Sequence, residues 1–221
     1  VNTLQTSGWG YFTDTLLKKA LDNPVILQLL LKTPGTDPDA YNFTKDCSFD
    51  TQYTTLHSLI QRKTDFNELS MLLLLHYGAD VNKRGTSDFN HGLIFSSRTP
   101  LHSAIESEDV RRVLILRMFN ADVTIPFSSG DQTSTCIELV DDYMESNSQG
   151  DKETKELMKL ALNQRWHPRL HQYFPKFFRD QVFYLMLCIK RLEPYLPPEI
   201  MEYIICNVAN GEFFIPELIV D

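Results

Sequence analysis

Apolar positions along this chain recur in short blocks at three-to-four spacing, and each block is followed by a polar or glycine-bearing break. That period predicts helices that come in pairs. Thr15-Leu16-Leu17-Lys18-Lys19-Ala20 is followed by 25–31, Thr54-Thr55-Leu56-His57 by Leu72-Leu73-Leu74-Leu75, Thr99-Pro100-Leu101-His102-Ser103-Ala104 by Val113-Leu114, and 135–140 by 155–162. The second and third pairs end alike, in Gly78-Ala79-Asp80-Val81-Asn82 and Asn120-Ala121-Asp122-Val123. The chain is therefore read as an internal repeat of about four units, the outer two degenerate.

Each recurring residue has a physical task. Pro100 falls in the first helical turn, where a missing N–H costs nothing. His57 and His102 are expected to hydrogen-bond backbone between units. Gly78 suits the left-handed residue that closes a helix, and Asn120 is the next best choice there. Leu56 lies 22 positions before Gly78 but Leu101 only 19 before Asn120, so about three extra residues are expected around 63–66. Sixteen residues separate Asn82 from Thr99, among them Phe89, His91, Leu93, Ile94 and Phe95. This connection is a candidate target-binding loop; folding back over the repeat edge as packing is the alternative.

Composition narrows the class of partner. With 221 residues, 43% of them hydrophobic and 23% charged, the chain can bury a core and form one elongated or two compact units. A net charge of −8 with no compact run of Lys and Arg argues against nucleic acid and for a protein partner. Cys47, Cys136, Cys188 and Cys206 are far apart and form no C-x-x-C pair, which points to a reducing compartment without a zinc knuckle or disulfide framework. The longest apolar runs, 71–75 and 182–189, fall far short of the roughly 20 residues of a membrane helix, so no membrane association is expected. No signal peptide is evident, and a start at Val1 without Met suggests processing or the C-terminal part of a longer protein.

Candidate chemistry is sparse. His167 and His171 are four apart, but Pro168 lies between them and no acidic or Cys partner is near, so no metal site is assigned. Glu138, Asp141 and Asp142 read as a solvated helix face. No G-x-S-x-G, phosphate loop or Cys–His pairing stands out, so no catalytic residue and no cofactor are expected, and the chain is not read as an enzyme.

The character changes after Asn163. Residues 166–221 hold 11 of the 25 aromatics, and a separate core is expected to begin there. Residues 178–192 read as a helix with Val182, Leu185, Met186, Ile189 and Leu192 on one face, ended by Pro194. Leu196-Pro197-Pro198-Glu199-Ile200 then opens another helix: Pro197 holds Leu196 extended, Pro198 suits the first turn, and Glu199 complements the helix dipole. Ile200, Ile204 and Val208 form its stripe, flanked by Met201 and Ile205, and Asn210-Gly211 is the stop.

The repeated T-P-L-H-x-A, L-L and G-A-D-x-N elements resemble ankyrin repeats, and Leu196 to Ile205 resembles the opening of an F-box. Their order, repeats first and box last, resembles the poxvirus ankyrin proteins that end in a PRANC domain. The resemblance implies an all-α fold: an ankyrin-repeat solenoid over 1–163, then a small helical F-box-like module over 164–221. It implies a viral substrate-receptor adaptor in the host cytoplasm, with the nucleus also open to it. Leu196, Pro197, Pro198, Glu199, Ile200, Met201, Ile204 and Ile205 would bind the host Skp adaptor and, through it, a Cullin-RING ligase. The repeats would present a host defence protein for ubiquitination. One departure is the tail: only 212–221 follow Gly211, too few for the third helix of a full F-box. The alternative is an ankyrin scaffold that sequesters a host signalling protein without ligase coupling.

Overall fold

The computed structural model describes residues 2–7, 10–46, 49–62, 68–89, 94–146, 152–163, 166–192 and 197. Among the described residues four hairpins alternate with four helix pairs. The first unit comprises β1 (Asn2–Ser7), β2 (Gly10–Thr15), α1 (Leu16–Lys19) and α2 (Pro24–Lys32). The second comprises β3 (Tyr41–Asp46), β4 (Phe49–Thr54), α3 (Thr55–Ile60) and α4 (Glu68–His76). The third is β5 (Gly85–Phe89), β6 (Ile94–Arg98), α5 (Pro100–Glu106) and α6 (Val110–Met118), and the fourth β7 (Phe127–Ser129), β8 (Gln132–Ser134), α7 (Cys136–Ser146) and α8 (Lys152–Asn163). A 3-10 segment (Pro168–Tyr173) and α9 (Lys176–Leu192) follow.

The expected all-α class is overturned. The hairpins join edge to edge into one eight-stranded antiparallel sheet whose strand order follows the chain, so the fold is mixed α and β. The 16-residue connection is itself largely a hairpin, with Gly85 opposite Arg98 and Phe89 opposite Ile94. Its strands escape a periodicity reading because they carry Thr, Ser, Asp and Gln where a core-facing strand would alternate apolar residues. Thr, Tyr and Phe favour extended backbone even so. The sheet is held by polar pairs: Ser87 and Ser96 hydroxyls meet at 2.7 Å across the strands, and Asn42 accepts the Thr15 N–H at 2.8 Å. Gly130, at φ +56°, opens the tight link between β7 and β8.

Helix ends follow the local sequence. Thr15 and Thr54 side chains accept amides at the starts of α1 and α3, and Asn23 and Asp109 do the same for α2 and α6. Gly78 and Asn120 are left-handed (φ +88° and +62°), and the next amides, of Ala79 and Ala121, return to Leu74 and Leu116 carbonyls at 2.9 and 3.0 Å. The extra residues expected around 63–66 lie outside the described residues.

Stacking of the units buries one continuous apolar cluster running from Leu17 to Val182. Trp166, Leu170, Phe174 and Phe178 belong to it, so the aromatic segment extends the core of the units where a separate one was expected. Polar ties cross each junction. Ser70 Oγ donates to the Leu21 carbonyl at 2.7 Å, and the Asp80 and Asp122 amides donate to the side chains of Asp39 and Asn82 in the preceding unit at 3.0 and 2.8 Å. The strongest tie is Arg112. Its side chain is buried, paired with Asp109 at 3.2 Å, and donates to the Ile60 and Arg62 carbonyls at 2.7 and 2.6 Å. The Ile60 carbonyl closes α3 and that of Arg62 lies just past it, where a cation also meets the negative end of the helix dipole.

Arg112→Met is expected to lower the unfolding free energy by about 3 kcal/mol, because it leaves two interior carbonyls without their donor. Chemical denaturation checks this, and a loss below about 0.5 kcal/mol would remove Arg112 from the account.

Candidate binding surface

The first helix of each unit meets its own hairpin, and in the second and third units that junction is built by the Thr and His of the repeated motif. Thr54 Oγ1 lies 2.8 Å from His57 Nδ1, and Thr99 Oγ1 lies 2.8 Å from His102 Nδ1. Paired hydroxyl and imidazole suggest an activated nucleophile. Burial argues otherwise, since all four side chains are closed off from solvent. They are caps: Thr99 N–H donates to His102 Nδ1 at 2.9 Å, so His takes the place that Glu or Gln holds in a capping box. An Nδ1 that accepts leaves the proton on Nε2. In His57 that Nε2 donates to the Arg98 carbonyl at 3.1 Å, tying the second unit to the hairpin of the third, as expected for this residue. His102 Nε2 points into the same kind of place: the Ile125 backbone is near enough to favour its charged form, though without a well-formed hydrogen bond.

Both rings are held neutral. Burial is the main cause and pushes each down to about 4, with the positive charge of Arg98 adding to the effect in both and that of Arg84 in His102.

Outside this seam, the sheet presents an ordered mix of aromatic and cationic groups. Phe43 is exposed on β3, with the Tyr41 ring 6.3 Å away and Lys83 over Tyr41 at 5.6 Å. The Tyr41 hydroxyl donates to the Arg84 carbonyl at 3.1 Å. The Arg84 guanidinium donates to Ser97 Oγ and to the Pro126 carbonyl, each at 3.1 Å. Arg98 pairs with Glu106, donates to Ser96 Oγ at 3.0 Å and lies over the Phe127 ring at 5.5 Å. Burial raises the Glu106 carboxyl, and Arg98 works against that shift. Aromatic and Arg side chains whose rotamers are already fixed suit protein recognition, since little entropy remains to be lost on binding. Sequence reasoning passed over Tyr41, Phe43, Arg84 and Phe127, because the sheet that assembles them was read as connections. Gly85 was the available signal. A Cβ there would stand 2.3 Å from the Tyr53 ring, which stacks on His57 at 5.4 Å.

Of the candidate target-binding residues, Phe89, Ile94 and Phe95 take backbone places in β5 and β6, with Phe95 opposite Asp88, while His91 and Leu93 lie outside the described residues. Of the candidate Skp-binding residues, Pro197 is described and exposed; Leu196, Pro198, Glu199, Ile200, Met201, Ile204 and Ile205 lie outside the described residues. The helix before them, α9, buries Val182 and leaves Phe183, Tyr184, Met186 and Leu187 exposed. His167 accepts the Arg169 amide at 3.2 Å, and the His171 ring meets Trp166 edge-on at 6.5 Å. Among the described residues no cluster of His, Cys, Asp or Glu is arranged to hold a metal ion, and no helix is long and apolar enough to cross a membrane. No protein-family model matches the chain, and no curated protein matches it.

Two outcomes test the seam. A ring whose basicity falls on folding contributes its full stability above the unfolded value near 6.5 and loses it as pH falls toward about 4. Going from pH 7 to pH 5 is therefore expected to cost about 2 kcal/mol per ring, offset in part by the raised carboxyls of Glu106 and Asp39, which act in the opposite sense. Denaturant titration at several pH values should show this slope, roughly halved in His57→Gln; a flat profile contradicts it. Gly85→Val is expected to cost about 2 kcal/mol through the clash with Tyr53, and a neutral result would mean that the ring is free to swing away.

Proposed function

We propose that this chain is a non-enzymatic adaptor of the poxvirus ankyrin and PRANC kind. Its stacked units capture a host protein on the sheet side, and its C-terminal segment binds the host Skp adaptor and so a Cullin-RING ligase. The observation that carries the capture half is the preformed strip of Tyr41, Phe43, Arg84, Arg98 and Phe127, held by side-chain hydrogen bonds and ring contacts. The docking half is supported by the F-box-like run Leu196 to Ile205 and by the aromatic residues that α9 leaves exposed just before it. Ubiquitin transfer would then be performed by the recruited ligase, with this chain raising the effective concentration of the target. The host cytoplasm is the expected place of action.

A second reading has its own support. Trp166, Leu170, Phe174, Phe178 and Val182 pack on the same cluster as the units, which is what a terminal cap does for a repeat stack. On that reading the chain sequesters its target without ligase coupling.

Purified Skp adaptor is expected to bind the chain with a Kd near micromolar or tighter by calorimetry, and Leu196→Ala with Pro197→Ala to weaken it by at least about tenfold. Absence of binding at micromolar concentrations, with target inhibition retained after deletion of 194–221, would leave sequestration as the function.

A further inference from the structure

The outer side of α9 changes character halfway along. Lys176, Asp180, Phe183, Tyr184, Leu187 and Arg191 follow one another at three-to-four spacing, and all are exposed. The first two are charged and pair with each other at 3.6 Å. The next three are apolar: Phe183, Tyr184 and Leu187 are 55%, 65% and 45% exposed, with Met186 at 46% beside them. The inner side of the same turns is apolar too, since Val182 is buried in the common cluster and Leu185 packs against it. A stretch of helix that is apolar on every side is built to be covered.

Area and proximity choose the occupant. Roughly half of each of Phe183, Tyr184, Met186 and Leu187 is bare, which offers about 400 Å². A second copy seated there would bury only about half of the roughly 800 Å² per partner of a stable interface. A segment of the same chain faces no such threshold, because a short tether supplies a millimolar effective concentration. The sequence holds one: Ile200, Ile204 and Val208 form an apolar stripe flanked by Met201 and Ile205, with Glu199, Glu202 and Tyr203 on the opposite side. Residues 193–198 separate this run from α9, a length that commonly joins antiparallel helices. Folded back, Ile204 falls level with Leu187 and Val208 with Phe183. Both runs, 183–191 and 200–208, span about 12 Å as helix.

We propose that the bare face of α9 is covered by residues 200–208 of the same chain, packed antiparallel to it. The consequence for docking rests on the Skp-binding role proposed for Leu196 to Ile205. The face that covers this run in the free chain competes with the adaptor, which binds only the fraction of molecules in which the run is released. The aromatic residues of α9 then serve docking by holding the run in place until the adaptor takes it.

Hydrogen exchange of the unbound chain at low micromolar concentration tests the contact. Amides of 200–208 are expected to exchange about tenfold or more slowly than in a free peptide of the same sequence, and Tyr184→Lys with Leu187→Lys to remove that protection. In a Cys188→Ser, Cys206→Ser background, Leu187→Cys with Ile204→Cys should form an intramolecular disulfide. Free-peptide exchange in the parent chain, protection that survives the two lysines, or failure of the disulfide overturns the proposal, the last even where the lysines disturb α9. Protection that grows with concentration alongside a dimer in light scattering also overturns it, with a second copy as the occupant. Calorimetry with the Skp adaptor separates the contact from the docking reading: the lysine pair should tighten binding by at least about threefold. Weaker binding would make the face part of the adaptor's own site and overturn the proposal. Absence of binding in both chains ends the docking reading, and exchange and disulfide still decide the contact.

Discussion

The structure depends on two imidazoles kept neutral inside it. His57 and His102 each close the start of a helix through Nδ1, and His57 carries that closure across to the next hairpin through Nε2. Burial makes charge unfavourable at both places, so protonation of either ring weakens the seam. Helix layer and sheet layer meet along this line. Beside this line lie the paired strands β4 to β6, Gly85 close to the Tyr53 ring that stacks on His57, and Arg98, whose carbonyl accepts from His57.

A second set of ties sets the direction of stacking. Asp39 and Asn82 reach forward to the amides of Asp80 and Asp122, while Ser70 and Arg112 reach back to carbonyls of the unit before. Each junction thus pairs a forward acceptor with a backward donor, and apolar packing fills the space between. These four ties run in one sense along the helix layer, whereas the sheet side also carries donors that reach forward, His57 to the Arg98 carbonyl and Arg84 to that of Pro126.

Much of the helical layer was legible in the sequence, and little of the sheet. Pro100 in the first helical turn, the left-handed Gly78 and Asn120, and the bond of His57 to the next unit were each read from the residues themselves. The strands are not local. Residues such as Thr51, Ser87 and Ser97 carry no amphipathic signal, and they stand in strands through pairing with the neighbouring hairpin. The aromatic segment misled for a related reason. Its density suggested a new core, whereas Trp166, Phe174 and Phe178 complete the existing one. The sheet-side strip was hidden with the strands, since Tyr41 and Arg84, or Arg98 and Phe127, are far apart in sequence and meet only in the folded chain.

The protonation of the two rings is the most direct measure of this account. Long-range nitrogen–proton correlation spectra of the folded chain report tautomer and charge for each histidine separately. His57 and His102 are expected as neutral rings protonated on Nε2, holding that state as pH falls from 7 to about 5, well below the usual imidazole range. Rings protonated on Nδ1, or titrating near the ordinary value of about 6.5 in the folded chain, would contradict it.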